Sequence, residues 1–186
     1  ERQMCIRDRN YIVLGRFQPL HNGHALLIEK ALEIASENDK VTVAIGSASC
    51  QMEPRNPWTG HERKEMIEAW SSIVEVVLID DINDPPNWVE HASKFHGEGT
   101  LVTSDKETAE LYRSSNWEVI DVELENRENF EGWRIRQTIK MLSTVDDFDA
   151  VREVLSPTLP VSIIDWLIEK DALYRLSTFQ TGVYAG

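Results

Sequence analysis

Little in this sequence suits covalent or metal-based stabilisation. It holds two cysteines, Cys5 and Cys50, with no Cys-x-x-Cys pair and no zinc-ligand spacing. That excludes a disulfide framework and points to a reducing cytosol. No apolar run is long enough to span a membrane. Cations are scarce: 19 Lys and Arg face 32 Asp and Glu, a net charge of −13. A broad nucleic-acid-binding face is therefore excluded, and any polyanionic ligand must be met by cations gathered locally. Two phosphate-binding signatures are also missing. Without Gly-x-x-x-x-Gly-Lys-Ser/Thr this is not a P-loop protein, and without Gly-x-Gly-x-x-Gly after the first strand it is not a dinucleotide-binding Rossmann domain. Internal repeats and low-complexity linkers are lacking too.

What remains is an ordinary apolar content in 186 residues, enough for one domain with a sizeable core. That single domain is expected over residues 10–186. Glu1–Arg9 is polar, lacks the apolar centre of a signal peptide, and abuts a strand without a turn signal, so it reads as a non-native leader. Apolar periodicity then alternates between strand and helix. Strands are expected at Tyr11–Leu14, Val41–Gly46, Val74–Ile79, Thr100–Thr103 and Glu118–Val122. Between them fall helices at Gly23–Ser36 (stripe Leu27, Ala31, Ile34, Ala35), Thr59–Ser71, Trp88–Phe95 and Glu107–Ser114. Thr59-Gly60-His61-Glu62 is a capping box, which marks the start of the second helix. Three further helical stretches, Gly132–Leu142, Asp147–Leu155 and Val161–Glu169, cover the sheet. Buried β-branched strands alternating with helices predict an α/β fold: a Rossmann-like, doubly wound parallel sheet of about five strands with C-terminal helices. In such a sheet, ligands bind beyond the carboxyl ends of the strands at the switch point.

The first strand runs into Gly15-Arg16-Phe17-Gln18-Pro19-Leu20-His21-Asn22-Gly23-His24, which opens the first helix. A helix N-terminus offers unpaired N–H groups and partial positive charge, a natural anion site. Gly23 lets an oxygen approach the backbone closely. His21 and His24, three positions apart, can present both rings to one phosphate group, with Arg16 alongside. A lone histidine means little, but two around a glycine after a buried strand point to phosphate binding. His61, His91 and His96 match no metal spacing and read as solvated or helix-surface residues. Trp58, Trp70, Trp117 and Trp166 read as packing residues.

The segment Gly15 to His24 resembles the opening of nicotinamide mononucleotide adenylyltransferases, archaeal-type enzymes and the adenylyltransferase half of bifunctional Nudix proteins in particular. The likeness continues in register through Gly46-Ser47-Ala48, Arg55-Asn56-Pro57-Trp58-Thr59 with Glu62-Arg63, and Asp81-Ile82-Asn83 with Trp88-Val89. It covers Tyr11 to about Leu142. The resemblance implies a nucleotidylyltransferase that moves AMP from ATP to nicotinamide mononucleotide, giving NAD and pyrophosphate. His21, His24 and Arg16 would be its catalytic residues. Gly15, Phe17, Gly23 and Arg136 would bind ATP; Arg55, Asp81 and Trp88 would bind the mononucleotide, Trp88 by stacking on the nicotinamide ring. Magnesium would arrive on the ATP phosphates, with no metal cage in the protein. A cytoplasmic homo-oligomer is implied, with neither nucleic acid nor membrane as partner.

The family's Ser-x-Thr-x-Ile-Arg segment reads Glu131-Gly132-Trp133-Arg134-Ile135-Arg136 here, an acid for the serine and an indole for the threonine. A carboxylate beside a triphosphate is unfavourable unless Arg134 pairs with it or it turns outward. Pro85 and Pro86 stiffen the loop before Trp88. Other acceptors on the same cradle are nicotinate mononucleotide, phosphopantetheine and flavin mononucleotide. A different class of reading is a non-catalytic nucleotide sensor that keeps the fold and has lost the chemistry at Glu131 and Trp133.

Overall fold

The computed structural model describes residues 8–125 and 130–179. Five parallel strands form one sheet in the order β3-β2-β1-β4-β5: β1 Asn10–Gly15, β2 Lys40–Ile45, β3 Glu75–Leu78, β4 Thr100–Thr103 and β5 Glu118–Asp121. The chain winds outward from β1 on one side and crosses to β4 on the other, so the switch point lies at the carboxyl end of β1. Residues 1–7 of the expected leader lie outside the described residues. Arg9 adds to the ladder: its carbonyl accepts the Lys40 amide at 2.8 Å, and its own amide donates to Asp39 at 2.8 Å.

Both faces of the sheet are covered, and strand alternation decides which residue goes where. Tyr11, Val13, Val41, Val43 and Ile45 belong to the larger core, under helices α1 (Asn22–Ile34), α2 (Gly60–Trp70) and α5 (Gly132–Leu142). The same core takes α6 (Phe148–Leu155), α7 (Val161–Glu169) and the short α8 (Arg175–Thr178) through Val151, Leu155, Ile163, Leu167 and Leu176. These last helices and the turns between them build about a third of that core rather than simply covering the sheet, with α7 against α2. Ile12, Ala44 and Leu101 point the other way, to Val89 and Ala92 of α3 (Trp88–His96) and Tyr112 of α4 (Lys106–Ser114).

Two expectations change. Ile34 ends α1 at 39% exposure, so the buried stripe is Leu27, Ile28 and Ala31. His96 is not a surface residue. It is 2% exposed, with Nε2 2.8 Å from the Tyr112 hydroxyl and Nδ1 2.7 Å from the Gly97 carbonyl. Position in the last turn of an otherwise amphipathic helix hid this: α4 closes over that turn, and nothing local in the sequence says so.

Candidate active site

The loop from Gly15 to Leu20 carries the chain from β1 to α1, whose N-cap is His21. Serine, threonine or aspartate is the usual N-cap. Here two histidines form the capping box instead. His21 Nδ1 accepts the His24 amide at 3.3 Å, and His24 Nδ1 accepts the His21 amide at 3.4 Å. The rings stack with centroids 3.6 Å apart and 17° between planes. This geometry fixes the tautomer. With both Nδ1 atoms accepting, the proton of each neutral ring must sit on Nε2, on the edge away from the cap. Burial pushes the His21 pKa down to about 4, with Arg136 adding to the effect. It pushes His24 well below its ordinary value, helped by His21. At neutral pH the cradle therefore offers two uncharged N–H donors. The Asn22 amide is taken by the Thr158 carbonyl at 2.8 Å, and among the described residues the Gly23 amide has no such acceptor. Gly23 has no room for a side chain, since a Cβ there would lie 2.9 Å from Phe130 Cβ and 3.1 Å from His21 Cε1.

Positive charge comes from three arginines on different elements. Arg16 follows β1, Arg55 precedes α2, and Arg136 lies on α5; with Phe130–Trp133 they line a cleft of about 600 Å³. Arg136 Nη1 donates to the Gln18 carbonyl at 2.9 Å, and Arg16 Nη1 to Asn56 Oδ1 at 3.4 Å. Burial, then mutual repulsion, lowers the pKa of Arg136 to about 10, and the same causes lower Arg16. Among the described residues none of the three has a carboxylate within 4.0 Å, and like charges held together in this way favour a polyanion. Phe130 also lines a smaller cleft of about 180 Å³ with His21, Gly23, His24, Thr103 and Ser104. Thr103, Ser104 and Leu124 continue into a third, of about 450 Å³, at the ends of β4 and β5. Together they make an elongated trough across the carboxyl edge of the sheet.

At the departing segment, Arg134 Nε lies 3.1 Å from Glu131 Oε2, and its guanidinium sits 5.1 Å from the Trp133 ring centroid. The acid beside the cleft is compensated. Trp133 is 55% exposed.

Asp81 and Trp88 stand apart from the histidines. Asp81 Oδ2 accepts the Ser47 hydroxyl at 2.6 Å, which places it at the carboxyl ends of β2 and β3, and its charge acts on Arg16. Trp88 opens α3 after a single 3-10 turn at Pro85–Asn87. It is half-buried, edge-on to Tyr112 with centroids 6.5 Å apart, and lines none of the three clefts. Phe17 is 1% exposed beneath the cradle, its ring tilted 56° to His24 at 4.7 Å, so it supports that imidazole from the protein side.

Sequence reasoning gave no role to three residues that shape the site. Gln18 bonds both backbone groups of Trp58, through Nε2 at 3.1 Å and Oε1 at 3.2 Å, and so joins the β1–α1 loop to the segment before α2. Arg63, fully buried, donates to carbonyls of Arg16, Gly46 and Ser47 at 2.8, 3.1 and 2.9 Å. Phe130 lies parallel to the His21 ring, 6.0 Å away. An arginine in the buried stripe of α2 was the one available signal.

The imidazoles also set an acid limit. Burial depresses His21, His24 and His96 below the 6.5 of an unfolded histidine. Below pH 6.5 the unfolded chain takes up protons that the native one refuses, so stability is present above that pH and lost as pH falls. For His21 alone the loss from pH 7 to 5 is about 2 kcal/mol. Urea unfolding at those two pH values measures it; equal stability would overturn the neutral, buried assignment.

A parallel sheet with an arginine-lined cleft at its switch point, two neutral imidazoles capping the first helix, and no P-loop defines a nucleotide-binding α/β protein of the nucleotidyltransferase type. The chain belongs to the cytidylyltransferase-like family, whose model matches residues 12–152. It is 35% identical over 133 residues to the nicotinamide-nucleotide adenylyltransferase of Picrophilus torridus, covering 67% of this chain and 75% of that protein. To the enzyme of the same name from Thermoplasma acidophilum it is 27% identical over 181 residues, 94% of each chain. Among solved structures it is similar to the bifunctional NMN adenylyltransferase/ADP ribose pyrophosphatase of Francisella tularensis. That match has a TM-score of 0.60 and 21% identity, over 88% of this chain and 54% of that one. The chain thus spans about half of the bifunctional protein, and the likeness shows the fold.

Proposed function

We propose that this chain transfers the adenylyl group of ATP to nicotinamide mononucleotide, giving NAD and pyrophosphate. The observation that carries the reading is the pair of neutral, Nε2-protonated histidines beside three arginines that, among the described residues, have no carboxylate within 4.0 Å. Relatives bearing this activity in their names, aligned over most of the chain, supply the acceptor.

The trough takes ATP, its phosphates over the first turn of α1. A phosphate oxygen of the mononucleotide attacks the α-phosphorus in line; the new O–P bond forms as the bond to the β-phosphate oxygen breaks, and pyrophosphate leaves with the electron pair. No enzyme nucleophile is needed. His21 and His24 donate from Nε2 to the non-bridging oxygens, and Arg16 and Arg136 balance the charge that develops. Neutral donors suit this task because protonation at Nδ1 would break the cap that aims them. Arg55 meets a phosphate group in the reacting region, and Asp81 orients the mononucleotide. Among the described residues no three His, Cys, Asp or Glu side chains gather as metal ligands. Bound to the ATP phosphates, magnesium would supply charge neutralisation there. A structure from Francisella tularensis is described as complexed with AMP and a manganese ion, which supports a divalent cation. No described helix is long and apolar enough to cross a membrane.

The test is incubation with ATP, magnesium and each of nicotinamide mononucleotide, nicotinate mononucleotide, phosphopantetheine and flavin mononucleotide, reading pyrophosphate and the joined product. Absence of turnover with every acceptor sinks the enzyme reading; tight nucleotide binding without turnover would favour a sensor. Within the reading, Trp88→Ala should raise KM for the mononucleotide roughly tenfold, the scale of one stacked ring, with kcat within a few-fold. Trp88→Phe should recover most of it. An unchanged KM in Trp88→Ala would leave Trp88 as a packing residue of the Tyr112 cluster.

A further inference from the structure

We propose that Lys140, with Arg136 and Arg55, forms a departure subsite for the pyrophosphate product. This rests on the adenylyl-transfer reading. The triphosphate cleft does not end at Arg136. A second groove, of about 360 Å³, shares Arg55, Trp133 and Arg136 with it and runs on to Gln137 and Lys140. Arg136 and Lys140 are four residues apart on α5, hence neighbours on one face about 6 Å apart along the axis.

The charge pattern of this groove suits an anion. Many cations of this acidic chain are paired, among them Lys30 with Glu33, Lys40 with Glu75, Arg113 with Asp121, Arg152 with Asp165 and Arg175 with Glu62. Among the described residues Arg55, Arg136 and Lys140 have no carboxylate within 4.0 Å, and no acid lines the groove. A lysine in the last turn of a helix is favoured by the helix dipole. That role accounts for neither the groove nor the two arginines facing it. One wall is apolar, with Pro54, Leu176 and Phe179. It keeps the local dielectric low and gives no donor that could hold a leaving group fast. Of the reaction's components, pyrophosphate alone is small, highly anionic and in need of a way out after the bond breaks. A cationic nicotinamide ring would be repelled here.

The experiment is calorimetric titration of inorganic pyrophosphate with magnesium into the full chain and its Lys140→Gln and Lys140→Arg variants. The same proteins are assayed in the reverse direction, with NAD and pyrophosphate. Loss of about fivefold in pyrophosphate affinity in Lys140→Gln, restored by Lys140→Arg, is expected. A matching rise in the reverse KM for pyrophosphate, larger than any change for NAD, is expected with it. Equal affinity in the wild type and Lys140→Gln, or no pyrophosphate binding by the wild type, overturns the proposal. Pyrophosphate binding that depends on Lys140, in a protein that forms no NAD, would keep the subsite and refute the adenylyl-transfer reading.

Discussion

His24→Ala is expected to lower kcat by about 100-fold or more, equivalent to roughly 3 kcal/mol of transition-state stabilisation. The side chain has two jobs, and their magnitudes separate them. As half of the capping box, it accepts the His21 amide through Nδ1, and loss of a cap costs about 1 kcal/mol of stability. As an Nε2–H donor it meets charge that grows on the transferring phosphoryl group, and only this contact bears on kcat. His24→Asn divides the two, because an amide oxygen can keep the cap while its donor falls short of the phosphate. Stability near wild type with kcat still depressed by about two orders of magnitude is the expected result in His24→Asn. Full activity in that variant would reduce His24 to a capping residue, and steady-state kinetics alongside thermal unfolding reads both quantities.

The same pair shows how far the sequence was legible. The five parallel strands and nearly every helix follow from a period that switches between two and 3.6, because each apolar face must be buried somewhere; the order of the strands does not. The cradle's position follows from the strand-to-helix turn at the switch point. Its chemistry does not. Two histidines around a glycine suggest two rings presented to one phosphate group and leave their protonation open; the fold buries both rings, stacks them and ties each Nδ1 to a backbone amide. They become neutral donors. Glu131 is unfavourable there unless Arg134 pairs with it or it turns outward, and Arg134, one turn on, does pair with it. His96 escaped for the opposite reason. Its partners Tyr112 and Gly97 are a helix away and a residue away, and only closure of α4 over α3 turns them into a buried chain of hydrogen bonds.

Arg63 is where fold and site meet, and Arg63→Met is expected to cost on the order of 3–5 kcal/mol, a fall in Tm of roughly 10 °C. The guanidinium is fully buried, and its hydrogen bonds to the described residues all go to backbone carbonyls. Its Nη1 reaches the carbonyls of Arg16 and Gly46, its Nη2 those of Ser47, Ala48 and Cys50, and its Nε that of Thr59. Burial draws its pKa down to about 10, so it stays charged at neutral pH. One planar fork thus closes the loops after β1 and β2 onto the start of α2, whose cap Glu62 is in turn gripped by Arg175 at 2.5 and 2.8 Å. Methionine fills much of the volume but leaves several carbonyls unpaired, and each buried polar group left so costs about 1–3 kcal/mol before water relieves part of it. Lysine keeps the charge with three donors on a single nitrogen, too few and too compact to span six acceptors. Arg63→Lys should therefore recover less than half of the lost stability, and kcat should fall in both variants because Arg16 hangs from the same loop. Urea unfolding of the three proteins decides the point: a lysine variant as stable as the wild type would show that charge, not the shape of the fork, holds these loops together.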